Sequence, residues 1–246
     1  MTPFEFQPIG FIETCFAEKF GTPRQPGLAP TSWGKLRLRP ELNLSDAFHG
    51  LEGFSHLWLV FVFHQNTNKG IKTKVRPPRM GGEKMGLFAT RTPHRPNPIG
   101  LSAVCLDGIE GGDTLILSGL DLVSGTPILD IKPYLPTSDS IPLARSGWTQ
   151  AKPERSIEVV ITAEAQADFM RLTGARSERF QKLAREVLEL DPRPTFYKGT
   201  SENPNPYTAA YGFRLEDFNV VYTMEGSLAT VIEVQKWNEF RPATRL

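Results

Sequence analysis

Hydrophobic and polar positions follow one rhythm up to about residue 148 and another beyond it. Lys35-Leu36-Arg37-Leu38-Arg39 alternates with period two, which predicts a half-buried strand. His56-Leu57-Trp58-Leu59-Val60-Phe61-Val62-Phe63 is apolar on both faces and predicts a central strand covered on each side. Further strands are predicted over Gly86–Thr90, Leu101–Leu106, Thr114–Leu120 and Ile128–Tyr134, with Gly, Asp or Pro between them, and Gly108–Gly112 reads as a turn. Short strands at such spacing indicate a barrel or sandwich, not a parallel sheet with crossover helices. No amphipathic helix is predicted before about residue 160.

The second rhythm begins near Trp148–Glu154, where Gly147, Lys152 and Pro153 mark a linker. Ile157–Ile161 predicts a strand. Phe180, Leu183, Ala184, Val187 and Leu188 fall at helical spacing within Ser177–Leu190, and Asp191-Pro192 stops that helix. Phe218–Met224 and Leu228–Val234 flank Glu225-Gly226-Ser227 as a β-hairpin would. The predicted fold is mainly β: an N-terminal β-barrel domain over residues 1–148 and a small α+β C-terminal domain over 149–246. Asn203-Pro204-Asn205-Pro206 reads as a stiff loop.

Composition narrows the function classes. The chain of 246 residues is 39% hydrophobic and 22% charged, with a net charge of +1, which describes a globular protein and not a disordered one. Its longest apolar run, Leu57–Phe63, falls far short of the roughly 20 residues a bilayer core requires. Met1-Thr2-Pro3-Phe4-Glu5 has neither the basic start nor the apolar core of a signal peptide, so a cytoplasmic location is expected. Cys15 and Cys105 form no CxxC pair and read as small buried hydrophobes. The glycine-rich nucleotide loops and the GxSxG elbow are absent. His49, His56, His64 and His94 lack metal-ligand spacing, and no metal is expected.

Near-neutral net charge hides a local imbalance. From Lys69 to Arg95 the charged residues are Lys69, Lys72, Lys74, Arg76, Arg79, Glu83, Lys84, Arg91 and Arg95, and Glu83 alone is acidic. Such a run is either a solvated loop or a localised anion site. It leads into Arg91-Thr92-Pro93-His94-Arg95-Pro96-Asn97-Pro98-Ile99-Gly100-Leu101-Ser102, where closely spaced prolines stiffen the backbone. Arg91 and Arg95 can offer planar forks to a carboxylate or phosphate, and His94 and Asn97 add uncharged hydrogen-bonding groups. Gly100 permits close approach of a backbone or ligand. His64-Gln65-Asn66 ends the most apolar strand, as a polar turn or as a pocket lining. Asp130, Lys132 and Tyr134 alternate and share one strand face, as a solvated edge or as an acid/base cluster.

Four segments together carry a resemblance. Phe20–Gly27 (FGTPRQPG), Val75–Gly82 (VRPPRMGG), Phe88–Ser102 (FATRTPHRPNPIGLS) and Gly125–Tyr134 (GTPILDIKPY) resemble the TsaA-like family, and within it the TrmO branch of bacterial tRNA (adenine-N6)-methyltransferases. The resemblance covers most of the first 148 residues and extends, more weakly, into the C-terminal part. It implies an S-adenosylmethionine-dependent enzyme on a β-barrel, acting on N6-threonylcarbamoyladenosine beside the anticodon of threonine tRNA, as a homodimer with its cofactor near the subunit interface. By motif, Pro23, Arg24, Gln25, His64, Gln65, Arg91, Leu101, Ser124, Gly125 and Thr126 would surround the cofactor. Ser124 stands where the family often has Asp.

Under that resemblance the remaining residues acquire roles. The exocyclic nitrogen of the modified adenosine is amide-like and becomes nucleophilic when its proton leaves, which suits Asp130 or Tyr134 as base with Lys132 stabilising the developing charge. Arg95, with Asn97 beside it, would meet the threonine carboxylate. Lys74, Arg76 and Arg79, within Lys69–Lys84, would hold phosphates of the anticodon stem. Two other readings use the same residues: a non-catalytic RNA-binding barrel, and a methyltransferase of this barrel with another small acceptor.

Overall fold

The computed structural model describes residues 4–66, 70–77, 80, 82–150, 157–193 and 210–239. Lys69 and Arg79 of the basic run, Lys152 and Pro153 of the linker, and the Asn203-Pro204-Asn205-Pro206 loop lie outside the described residues.

Twelve strands run through the described residues: β1 (Gly10–Thr14), β2 (Trp33–Leu38), β3 (His56–Val62), β4 (Lys74–Val75), β5 (Met85–Gly86), β6 (Ile99–Glu110), β7 (Thr114–Ser118), β8 (Thr126–Pro133), β9 (Glu158–Ile161), β10 (Tyr211–Leu215), β11 (Phe218–Glu225) and β12 (Leu228–Lys236). Three α-helices accompany them, the single turn α1 (Pro136–Asp139), α2 (Ala163–Thr173) and α3 (Ser177–Glu189). The chain divides into two compact units. The first comprises residues 1–13, 35–117 and 125–134, and the second comprises 14–34, 118–124 and 135–246.

A closed barrel of order β1-β2-β7-β6-β3-β8 dominates the first unit. Period-two alternation sends Ile12, Leu36, Leu38, Leu57, Leu59, Phe61, Val104, Leu115, Leu117 and Ile128 to the buried side. Closure removes the exposed edges that an open sheet of this size would leave. The close approach of β6 to β3 depends on Gly100, which pairs with Phe61: a Cβ on Gly100 would lie 2.2 Å from the Phe61 ring. The room predicted at Gly100 therefore serves the barrel's own core.

β3 is central, flanked by β6 and β8, but only one of its faces is buried. Its other face, with Trp58, Val60 and Val62, is half-buried. The expectation of cover on both sides is thus not met within the described residues of this unit. The strand predicted over Gly86–Thr90 is also corrected. β5 ends at Gly86, and a 3-10 turn, Leu87–Ala89, follows because Thr90 closes it with N and Oγ1 both donating to Leu87 O. β6 is longer than predicted and carries the chain to Glu110, so the turn narrows to Gly111, Gly112 and Asp113, the two glycines with positive φ.

The second unit holds a four-stranded sheet of order β10-β11-β12-β9, in which β9 runs parallel to β12 and the other pairs are antiparallel. α2 packs on β12 and α3 on β9. Their core joins Phe169, Phe180, Leu183, Val187, Phe213, Val220, Tyr222 and Val231 to Cys15, Phe16 and Ala29. α3 and the β11–β12 hairpin match the sequence pattern. α2 was not legible from apolar periodicity; its local signal is Thr162, whose side chain accepts from Ala165 N and caps the helix. Cys15 is fully buried as expected, whereas Cys105 is only half-buried because it faces outward from β6, with Sγ 3.3 Å from His56 Nε2.

Candidate active site

The proline-rich corner is rigid through its backbone and through its neighbours. Phe63 N donates to Pro98 O at 2.8 Å, Arg95 N to Pro93 O at 2.9 Å, and Ile99 N to Asn97 O at 2.7 Å. Asn66 adds a side-chain brace: its Nδ2 donates to Pro93 O at 2.9 Å, while its Oδ1 lies 2.8 Å from His94 Nδ1. Pro93 O can only accept, which fixes the orientation of the amide and makes Nδ1 of His94 the protonated nitrogen facing Oδ1. Asn66 was noted in sequence only as part of a polar turn; its bracing role needs the fold.

Beside this corner lies an open cleft of ≈ 380 Å³, lined by Lys72, Lys74, Val75, Arg76, Lys84, Thr92, Pro93 and His94. Four of the eight are cations and none is acidic. The β4–β5 hairpin positions them: Lys74 pairs with Gly86, and Arg76 Nε donates to Gly82 O at 3.2 Å. Lys74 and Arg76 thus line one cleft with the corner residues, while Arg79 lies outside the described residues. Arg95 is placed differently from the free fork anticipated. Its Nη1 donates to Thr90 O at 2.9 Å, and its guanidinium lies 5.6 Å from the centroid of Phe88. Asn97 is exposed at the tip of the corner.

A second group forms on the outer face of β6-β3-β8. Leu101 pairs with Val60, and Val60 pairs with Asp130; one step along, Ala103, Trp58 and Lys132 make the next row. Lys132 Nζ is 2.7 Å from Asp130 Oδ2, and Asp130 Oδ1 accepts from Ile131 N at 2.9 Å. Tyr134 follows the strand, its ring 5.5 Å from that of Trp58. The alternation read from sequence therefore does bring Asp130, Lys132 and Tyr134 to one face. Leu101 is 54% exposed and stands in the same row as Asp130. An ion pair this accessible adds little stability; its effect is to fix the direction of the carboxylate.

The other motif residues are placed as follows. His64 and Gln65 form the turn after β3, with His64 N donating to Val62 O at 2.8 Å. Arg91 is exposed at the start of the corner. Gly125 adopts φ +82°, and its N donates to Ile12 O at 2.8 Å; the Thr126 side chain is buried opposite Ile12. In the second unit, Ser124 Oγ accepts from Thr14 N at 3.2 Å. Pro23 is buried, Gln25 Nε2 donates to Arg24 O at 2.5 Å, and Gly27 N donates to Gly119 O at 2.9 Å, which ties down the loop. Packing around Arg24 lowers the pKa of its guanidinium from the ordinary value, and the Asp191 carboxylate pulls it back up. Among the described residues, no helix is long and apolar enough to cross a membrane, and no group of three or more His, Cys, Asp or Glu could hold a metal ion.

Known proteins resemble this chain in sequence and fold. The tRNA (adenine(37)-N6)-methyltransferase of Escherichia coli is 45% identical over 224 residues, 89% of this chain and 93% of its own length. A putative S-adenosylmethionine-dependent methyltransferase, RcsF, of Pseudomonas aeruginosa is 45% identical over 218 residues, 87% of this chain and 89% of its own. The crystal structure of TrmO from P. aeruginosa superposes with a TM-score of 0.77 at 39% identity, covering 96% of this chain and 98% of that one. The tRNA-methyltransferase O N-terminal domain matches residues 11–140 and the TrmO C-terminal domain residues 154–237. The chain belongs to the tRNA-methyltransferase O family.

Proposed function

We propose that this chain is an S-adenosylmethionine-dependent tRNA methyltransferase that methylates N6 of threonylcarbamoyladenosine next to the anticodon of threonine tRNA. The observation that carries the reading is the cationic cleft built against the proline corner, which suits the phosphates of an anticodon stem-loop. The proposal includes a methyltransferase domain over residues 1–148, a small α+β domain over 149–246, and action in the cytoplasm.

The residues assigned to the cofactor suit its chemistry. S-adenosylmethionine carries a carboxylate, ribose hydroxyls and a purine. The exposed Arg91 supplies a cation, Gln25 and Gln65 supply amides, and the accessible Leu101 supplies an apolar surface. Ser124 keeps a hydroxyl proton to donate even though its oxygen already accepts from Thr14 N. When bound, the group would supply an electrophilic methyl on sulfur.

The protein's own part is positioning and proton transfer. Asp130, steadied by Lys132, takes the proton from the substrate's N6, with Tyr134 as the other candidate; Lys132 then offsets the charge left on the base. Arg95, with Asn97, binds the threonine carboxylate through the donors that Thr90 leaves available. A homodimer fits the outer face, because Leu101 and Val60 in one row and Trp58 in the next form an apolar patch that a second copy would cover.

The test uses purified chain, S-adenosylmethionine, and two anticodon stem-loops, one with threonylcarbamoyladenosine and one with plain adenosine. Nucleoside mass spectrometry should find the added methyl on the modified base only. Equal methylation of both would remove the threonylcarbamoyl group from the proposal.

A further inference from the structure

We infer that Phe88 is a stacking platform for an unpaired base of the RNA whose phosphates occupy the cationic cleft, a reading that rests on the tRNA function proposed above. Phe88 is 79% exposed. Single exposed apolar residues are common and mean nothing alone. What distinguishes this ring is its mount and its neighbours.

The mount is stiff. Leu87 is buried, its N donates to Thr73 O at 2.9 Å, and its O accepts from both Thr90 N at 3.2 Å and Thr90 Oγ1 at 2.8 Å. The 3-10 turn therefore presents Phe88 outward on an anchored segment. Arg95 fixes the ring from one side, its guanidinium 5.6 Å from the centroid and tied to Thr90 O. A cation over one π face leaves an aromatic surface of defined orientation.

The neighbours define the ligand. On the N-terminal side of Phe88 the chain contributes Lys84 to the cleft, and on the C-terminal side it contributes Thr92, Pro93 and His94. An exposed ring on the segment that joins two stretches lining a cationic cleft matches the make-up of a nucleotide, anion and flat base joined by a sugar. Paired bases are stacked on one another and do not offer a face, so the partner is an unpaired loop base. Stacking tolerates any base identity, and sequence discrimination is not expected from Phe88.

The experiment uses the full chain with S-adenosylmethionine and a stem-loop substrate in which 2-aminopurine replaces one unpaired base at a time. Phe88→Ala and Phe88→Leu should raise KM for the RNA by about five- to a hundredfold while leaving kcat and cofactor affinity unchanged. Phe88→Tyr and Phe88→Trp should restore KM to within about twofold of the parent. At one loop position the 2-aminopurine fluorescence should be quenched on binding, and this quenching should disappear in Phe88→Leu, which keeps the bulk but not the π face. An unchanged KM in Phe88→Leu, or quenching that survives it, overturns the inference, as does a loss confined to self-association. Failure of the parent chain to methylate any tRNA would instead overturn the underlying function.

Discussion

Asp130 stands opposite Val60 on the outer face of the barrel, and a single extra residue puts it there. Phe61 pairs with Ile128 and Val60 with Asp130, so Leu129 has no partner on β3. Counting by twos from the buried Ile128 would send Asp130 into the barrel. The bulge at Leu129 reverses the parity and turns Asp130 and Lys132 outward, beside Leu101. Sequence alternation identified the shared face of these residues, but parity alone could not say that the face is external.

If Asp130 is the base, Asp130→Asn should lower kcat by about a hundredfold or more while cofactor and RNA affinities stay near those of the parent. Steady-state kinetics with calorimetric binding checks this. A kcat within a few-fold of the parent would transfer the role to Tyr134.

The Asn66–His94 contact, 2.8 Å between Oδ1 and Nδ1, ties the turn after β3 to the proline corner. Asn66→Ala removes that brace and the bond to Pro93 O without touching a core position. Activity should fall by about tenfold through lost positioning, with the melting temperature shifted by no more than a few degrees. A large loss of stability with intact specific activity would contradict it.

Gly100→Ala drives a methyl group into the Phe61 ring. It should destabilise the protein by about 1–3 kcal/mol, read from urea denaturation, and Phe61→Leu in the same chain should recover part of that loss. Equal stability of Gly100→Ala and the parent would mean that the Phe61 ring yields freely.

Lys74→Ala and Arg76→Ala each remove one cation from the cleft. Each should weaken tRNA binding across all sequences and reduce the slope of log affinity against log salt by about 0.7–0.9. Titrations between low and moderate salt read this directly. An unchanged slope would place the phosphates elsewhere.

Burial pushes the Cys15 thiol up from 9.0 to about 12, although the Trp33 backbone hydrogen bond opposes the shift. The unfolded chain then ionises first on the alkaline side, so the contribution of Cys15 is complete below pH 9 and is lost as pH rises towards 12. Denaturation series at rising pH should show the parent losing more stability across that window than Cys15→Ala, by on the order of a few kcal/mol. In the native protein at neutral pH, alkylation mapped by mass spectrometry should label Cys105 before Cys15.

Much of the architecture was legible because it rests on local rules. Alternation located β2, Gly, Asp and Pro punctuation delimited β7 and β8, and helical spacing located α3, since a half-buried strand or helix face writes its period into the chain. α2 and β10 escaped because α2 has a weak apolar stripe and because Gly212 and Arg214 interrupt the apolar residues of β10. Residue chemistry and the family motifs singled out the corner, the basic run and the Asp130-Lys132-Tyr134 face. Tertiary relations supplied the rest: the Asn66 brace, the Leu129 bulge and the filling of the Gly100 gap by Phe61 each depend on segments distant in sequence or on a change of register.

Methyl transfer to tRNA can be followed as isotopically labelled methyl passing from S-adenosylmethionine into unfractionated tRNA incubated with the purified chain. The label should be recovered, after digestion, in a single N6-methylated threonylcarbamoyladenosine nucleoside. Label absent from the tRNA, or found at another atom, would contradict it.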